Sequence, residues 1–403
     1  MRRAQEMSLA DIAESVSYGY TASATQEPVG PHLLRITDIV PPQIEWRSVP
    51  FCKIEEKDRE RFSLEPGDIV IARTGATVGY AKLIRNHHDA VFASYLVRIR
   101  VDQAKADPGY VGRIVESGVY KRFVLSQVGG AAQPNANARV LSSFKLPIPA
   151  IQVQRHIAGI LATYDDLIEN NRRRIQLLEQ AARLLYKEWF VNRRFPGHEH
   201  VKIKDGVPEG WEKKIIDEVC QTVGGGTPST QKPEYWNEGD VTWVIPTDVT
   251  RNDCIALIST EKKITELGLK ASSARLVPPD TILMTSRASV GFFAMIDQEV
   301  CTNQGFINIS PNEDWMRMYL LHNLMSRVEE IRSHAGGATY KEISKGRFRR
   351  MRVIIPPKAV AQEFNDFAYQ VLQQVRVLKK QQIGLAKARD ILLPRLMNGE
   401  VSV

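Results

Sequence analysis

The stretch QRHIAGILATYDDLIENNRRRIQLLEQAARLLYKEWF, Gln154 to Phe190, decides the fold. Its apolar residues fall on two interleaved seven-residue rows. One is Ile157, Tyr164, Asn171, Leu178, Leu185; the other is Leu161, Ile168, Ile175, Ala182, Trp189. Only Asn171 interrupts them with an amide. Asp165, Asp166, Glu169, Arg172, Arg173, Arg174, Glu179, Arg183, Lys187 and Glu188 lie between the rows. A narrow stripe kept up over five heptads on a charged helix has the form of a coiled-coil seam; an ordinary surface helix shows a broader face. At 1.5 Å per residue this helix is on the order of 50 Å long.

A matching stripe lies 207 residues on. The first row becomes Phe364, Val371, Leu378, Leu385, Leu392, and the second becomes Ala368, Val375, Gln382, Arg389, Leu396. One phase recurring at one offset marks the second helix as a duplicate and a partner for the first. The alternative is that each seam buries against a globular domain. Antiparallel pairing sets Asn171 near Leu378, where a lone buried amide costs stability and fixes register.

The offset extends beyond the helices, which points to duplicated units. Pro66 to Gly79 reads as a turn, a strand and a tight glycine turn, and Pro279 to Gly291 repeats it, shifted by 212. Two β-rich runs follow, Val91 to Val101 and Val300 to Ile309, then helical segments at Tyr110 to Leu125 and Trp315 to Ile331. Glycine pairs come next, Gly129-Gly130 and Gly336-Gly337. A strand ending in proline, at Pro149 and Pro356, precedes each long helix. The order is a globule over residues 1–150, a helix over 151–192, a linker over 193–207, a globule over 208–357 and a helix over 358–399. The expected fold class is α+β: two similar α/β globules and two long helices in an antiparallel coiled coil, related by an approximate two-fold axis. The globules differ between Tyr18 and Arg61 and between Thr222 and Ser259, as expected of two similar binding jobs with different targets.

With 403 residues the chain has room for two domains or more. No apolar run approaches the ~18–20 residues of a membrane span. Met1 to Ala10 carries Arg2 and Arg3 without an apolar stretch behind them, unlike a signal peptide. Cys52, Cys220, Cys254 and Cys301 lie far apart, as expected of reduced, buried thiols in a cytoplasmic protein. A net charge of +8 fits a polyanionic partner.

No catalytic pattern stands up. Gly224-Gly225-Gly226 is not followed by a P-loop or dinucleotide signature. His198 and His200 flank Glu199 in the linker without further metal ligands. The Pro41-Pro42, Pro278-Pro279 and Pro356-Pro357 pairs lack the Asn/Asp and aromatic neighbours of an amino-methyltransferase motif. Basic clusters are the positive signal. Lys341, Lys345, Arg347, Arg349, Arg350 and Arg352 crowd together, with Phe348 and Met351 interleaved. They suit phosphate contact with base-edge readout, or else form a solvated strand edge. Arg73-Thr74 and Ser286-Arg287 occupy matched strand-to-turn junctions, where a guanidinium fork addresses a guanine edge or a phosphate, or forms a structural ion pair. The triple Arg172-Arg173-Arg174 pairs with glutamates, touches phosphates or holds a partner subunit.

Pro208-Glu209-Gly210-Trp211-Glu212, Gly225-Gly226-Thr227-Pro228-Ser229 with Tyr235-Trp236, Leu185-Tyr186-Lys187-Glu188-Trp189-Phe190-Val191, and Leu392 to Glu400 occur together. With these motifs the chain resembles the specificity subunit of bacterial type I restriction-modification systems over nearly its whole length. The resemblance implies two target recognition domains, each reading half of a bipartite site in double-stranded DNA. It implies a coiled coil that sets the gap and docks two modification subunits, which use S-adenosylmethionine to methylate adenine N6. Restriction subunits using ATP and Mg2+ complete that assembly. This chain itself is expected to bind no cofactor and to catalyse nothing. The expected opening at Ser8-Leu9-Ala10 makes Met7 an alternative start to Met1. The rival readings are a targeting subunit of a related methylation system without a nuclease, and a scaffold that bridges proteins without touching DNA.

Overall fold

The computed structural model describes residues 5–129, 134–204, 206–337, 339–397 and 400–401. Met1, Arg2, Arg3 and Gly130, and the end of the expected second helix at 398–399, lie outside the described residues. The chain divides into two compact units, residues 1–166 with 387–403 and residues 167–386. Each unit therefore joins one globule to parts of both long helices, Ile151–Tyr186 and Lys358–Met397.

In the first unit a four-stranded antiparallel sheet runs in the order Ala13–Tyr18, Leu96–Val101, Ile69–Ala72, Ala81–Leu83. In the second unit the order is Cys220–Gly224, Phe306–Pro311, Ile282–Thr285, Phe293–Ala294. The duplication reaches the register of the flanking pairs. Gln5 faces Ile148 and Glu212 faces Ile355, each 207 apart from its counterpart. Local caps repeat as well. The Arg35 backbone N–H donates to the Asp38 carboxylate at 2.8 Å, and the Ile245 N–H donates to Asp248 at 2.8 Å. Each starts a short helix by satisfying an otherwise free donor.

The sheets are covered on both faces, which explains their near-continuous apolar strands. Ile69 and Ile71 enter one core while Val70 and Ala72 enter another; Ile282 and Met284 do so opposite Leu283. The expected helical segments are each split in two: Pro108–Val115 and Gly118–Gln127, then Arg317–Ser326 and Val328–Ser333. Ser117 breaks the first by bonding back to the Ile114 carbonyl at 2.6 Å, and Arg327 leaves helical dihedrals in the second. Tyr110 and Tyr319 donate to the carbonyls of Pro147 and Ile354, tying each helix to its final strand.

The seam residues Ile157, Leu161, Tyr164, Ile168, Asn171, Ile175, Leu178 and Leu185 are buried or half-buried, as are Phe364, Val371, Val375, Leu378, Leu385 and Leu392. Within each unit the two helices run antiparallel. In the first, Asp165 meets Arg389 at 2.7 Å while Leu161 and Leu396 share a core. In the second, Asn171 meets Gln381 and Tyr186 packs 5.8 Å from Phe364. The seam also buries against the globules, so pairing and docking are not alternatives. This widens the second helix's buried face to Ala361, Leu372 and Arg376.

The expected lone amide is a small polar layer. Asn171, 6% exposed, donates to Gln381 at 3.2 Å, one turn beyond Leu378, and Gln382 donates to the Ile168 carbonyl at 3.1 Å. Asn171→Leu is expected to leave the melting temperature unchanged or higher while speeding amide exchange along residues 168–178. A lower melting temperature would contradict a register-fixing role.

His322 lies between the rings of Tyr186 and Phe364, with Nδ1 2.9 Å from the Met318 carbonyl, and burial pushes its imidazole down from 6.5 to about 4. Between those values the unfolded chain binds a proton that the native ring refuses. Stability therefore falls as pH drops through that window, by at most about 1.4 kcal/mol per unit from this group. His322→Gln should reduce the stability difference between pH 7 and pH 5 in urea titrations; identical differences would remove His322 as the cause.

Candidate nucleic-acid interface

Strand pairing brings three chain segments of the first globule together at one end of its sheet. Tyr18 faces Val97, Ala72 faces Leu96, and Arg73 comes next. The Arg73 N–H donates to the Tyr95 carbonyl at 3.0 Å, and its own carbonyl accepts from Ala136 at 2.8 Å. The Arg73 guanidinium lies over the Tyr18 ring, 4.8 Å from its centre, and Nη2 reaches Asn135 Oδ1 at 3.4 Å. Thr74 forms a bridge with Asn135.

The second globule holds the same backbone pattern. Ser286 donates to the Gly305 carbonyl at 2.7 Å and accepts from Ile343 at 3.0 Å. Arg73 thus corresponds to Ser286, and Thr74 to Arg287. The two arginines are not equivalent, because neighbouring strand positions point to opposite faces. Ser286 is 3% exposed and holds the strand end in place; as a surface contact it is ruled out by burial. Arg287 is exposed and faces Glu342 at 3.8 Å.

Half of the basic cluster, Lys345, Arg347 and Arg349, lies on a short helix, Lys345–Arg349, capped by Ser344, and Arg352 opens the strand Arg352–Ile355. Its members divide by what they touch. Arg349 clasps the neighbouring strand, donating to Thr222 Oγ1 at 2.6 Å and to the Thr222 carbonyl at 2.8 Å, with Asp217 at 3.3 Å. These bonds tie it to the strand, while its side chain remains 40% exposed. Arg347 donates to the His334 carbonyl at 2.8 Å. Lys341, Lys345 and Arg350 are exposed cations. On the first long helix Arg172 and Arg173 both donate to Glu169. Burial opposes its ionisation, yet these bonds hold its carboxyl below the usual range.

Sequence reasoning missed Tyr18, Tyr95 and Asn135. Nothing in the chain order joins them to Arg73; only strand register does. The cysteines are buried, and burial pushes the Cys220, Cys254 and Cys301 thiols up to about 12, which suits packing rather than reactivity. No helix among the described residues is long and apolar enough to cross a membrane.

The fold defines a duplicated α+β chain: two similar globules, each packed on parts of both long helices, with an arginine, a tyrosine and an amide gathered at one strand end of the first. The sequence profile of the type I restriction modification DNA specificity domain matches it twice, over residues 43–180 and 208–385, and the chain belongs to that family. The MjaIX specificity subunit of Methanocaldococcus jannaschii is 32% identical over 190 residues, 45% of this chain and 44% of that protein's length. This chain therefore aligns with less than half of that relative. The putative MjaX specificity subunit of the same organism is 23% identical over 411 residues, covering 98% of this chain and 93% of its own. Among solved structures, the type I restriction-modification S subunit of M. genitalium shares the fold, with a TM-score of 0.60 at 15% identity over 98% of this chain and 96% of that one.

The division of the basic cluster can be measured. Arg349→Ala should lower stability by about 1–2 kcal/mol through the lost Thr222 bonds. Arg350→Ala should leave stability within about 0.5 kcal/mol and reduce the slope of log affinity for duplex DNA against log salt by about one. An unchanged slope would take Arg350 out of the DNA-contacting set.

Proposed function

We propose that this chain is the DNA-recognition subunit of a cytoplasmic type I restriction-modification assembly. Each globule reads one half of a bipartite site, and the paired helices set the unread gap between the halves. The observation that carries this reading is the DNA specificity domain occurring twice, each copy spanning most of one globule and running into the long helix that follows it. The same helices dock two modification subunits, which use S-adenosylmethionine to methylate adenine at N6. Restriction subunits, with ATP and Mg2+, complete the complex. The chain itself is a non-catalytic targeting subunit.

The physics of such a subunit is additive readout at a fixed distance. Phosphate contacts supply salt-dependent affinity, supported here by a net charge of +8. Base contacts add discrimination, each wrong pair costing ~1–3 kcal/mol. Two heads on stiff paired helices contribute together only where both half-sites fall at the right separation. A heptad inserted into each helix at facing positions keeps the seam in phase. Methylome sequencing of a host carrying that variant with its modification partner should then show a longer gap between unchanged half-sites. Recovery of the original gap would contradict the proposal.

A further inference from the structure

The strand-end site of the first globule is more strictly built than a phosphate contact requires. The Arg73 main chain is fixed on both sides, by Tyr95 and Ala136. Its side chain is fixed too. One face of the guanidinium rests on the Tyr18 ring, Nη2 meets Asn135, and Nε is sealed from solvent. Tyr18 is in turn anchored, its hydroxyl accepting from the Ala138 N–H at 3.0 Å. Tyr18 and Tyr95 nevertheless remain 43% and 61% exposed, so the site is open to solvent.

The second globule keeps this scaffold and changes its chemistry. Gly224 faces Ile307 as Tyr18 faces Val97, Gly305 stands for Tyr95, and Ser286 stands for Arg73. Where the tyrosine ring lies in one globule, the Lys345 side chain lies in the other; a Cβ on Gly224 would come within 3.0 Å of Lys345 Nζ. A structural duty of the sheet would need the same groups in both copies. Groups that differ on a shared backbone are suited to reading different targets.

We propose, resting on the DNA-reading function above, that Arg73 is a specificity-determining residue that reads a guanine edge in one half-site, positioned by Tyr18 and Asn135, and that the second globule has no such group at the matching station. Guanine offers two acceptors, O6 and N7, in a plane that matches a guanidinium fork. A phosphate can also take both prongs of the fork, but it turns its oxygens to meet them, whereas a guanine edge holds O6 and N7 in one fixed plane and rewards a fork oriented in advance. The groups that touch the guanidinium, Tyr18 and Asn135, are uncharged, which fits a base edge better than a backbone cradle.

The test is methylome sequencing with the full chain assembled with its modification subunit. The unaltered chain should yield one bipartite motif with a G·C pair in the half-site concerned. Arg73→Ala should relax that single position by ~5- to 150-fold in relative methylation, leaving the other half-site and the gap unchanged. Tyr18→Leu should relax the same position less. Should Arg73→Ala fail to assemble, Arg73→Lys carries the test, since it keeps the charge and loses the fork. An assembled variant with an unaltered motif, or with binding weakened evenly across all sequences, overturns the guanine assignment while leaving the DNA-reading function standing. Absence of any bipartite motif with the unaltered chain sinks that function and the assignment together.

Discussion

Each unit depends on the burial of two helical stripes, brought from distant parts of the chain, against one globule. In the first unit Leu396 shares a core with Leu9, Ile12, Ile157 and Leu161. Burying a side chain of this kind contributes about 1.5–3 kcal/mol. The first globule's core is therefore completed by residues made almost four hundred positions later. In the second unit Ile175, Ala182 and Tyr186 from one helix meet Phe364, Val371 and Val375 from the other over the globule's sheet. Helix pairing and globule folding are linked through the same side chains, so neither can be altered alone.

The two units meet this constraint with different chemistry. In the first, Asp165 is shared by Arg85 at 3.1 Å, Arg389 at 2.7 Å and Arg113. Burial, reinforced by the nearby charge of Arg85, pushes the Arg113 guanidinium down to about 10. The positions 207 residues from Asp165 and Arg389 are Leu372 and Ala182, both buried in the apolar core of the second unit. A buried ionic cluster adds little net stability over an apolar one, but it penalises misplacement heavily, since an uncompensated charge would be left inside. Register in the first unit is thus held by charge, and in the second by shape and by the amide layer at Asn171.

Much of this was legible in the sequence because duplication doubles every signal. The 207 offset located the long helices, the proline-terminated strands and the repeat boundaries. It also drifts: Tyr110 matches Tyr319 at 209, and Arg73 matches Ser286 at 213, before the offset returns to 207 at Ile343. Loops of unequal length cause the drift, and it is why two arginines that look paired occupy neighbouring, oppositely directed positions. Contacts were less legible than elements. Arg349 reads as a DNA-facing cation among five others, and only the approach of Thr222 shows it to be a clasp. Asn171 reads as a solitary amide because its partners lie more than two hundred residues away.

The placement of the candidate readers follows from how the sheets are covered. With both faces buried, a strand residue in mid-sheet cannot change without leaving a cavity or forcing overpacking. Strand ends are less bound by that restriction, since their main chains are held by hydrogen bonds while side chains such as Tyr18, Tyr95 and Arg287 reach solvent. The exchange of Tyr18 and Ala138 for Gly224 and Lys345 shows the principle. A ring fills the station from the strand in one globule, and a flexible lysine fills it from the short capped helix in the other. The same volume is occupied by groups of different chemistry on a backbone whose hydrogen bonds do not change. Recognition can then be altered one side chain at a time, while the cores that couple each globule to the helices stay as they are.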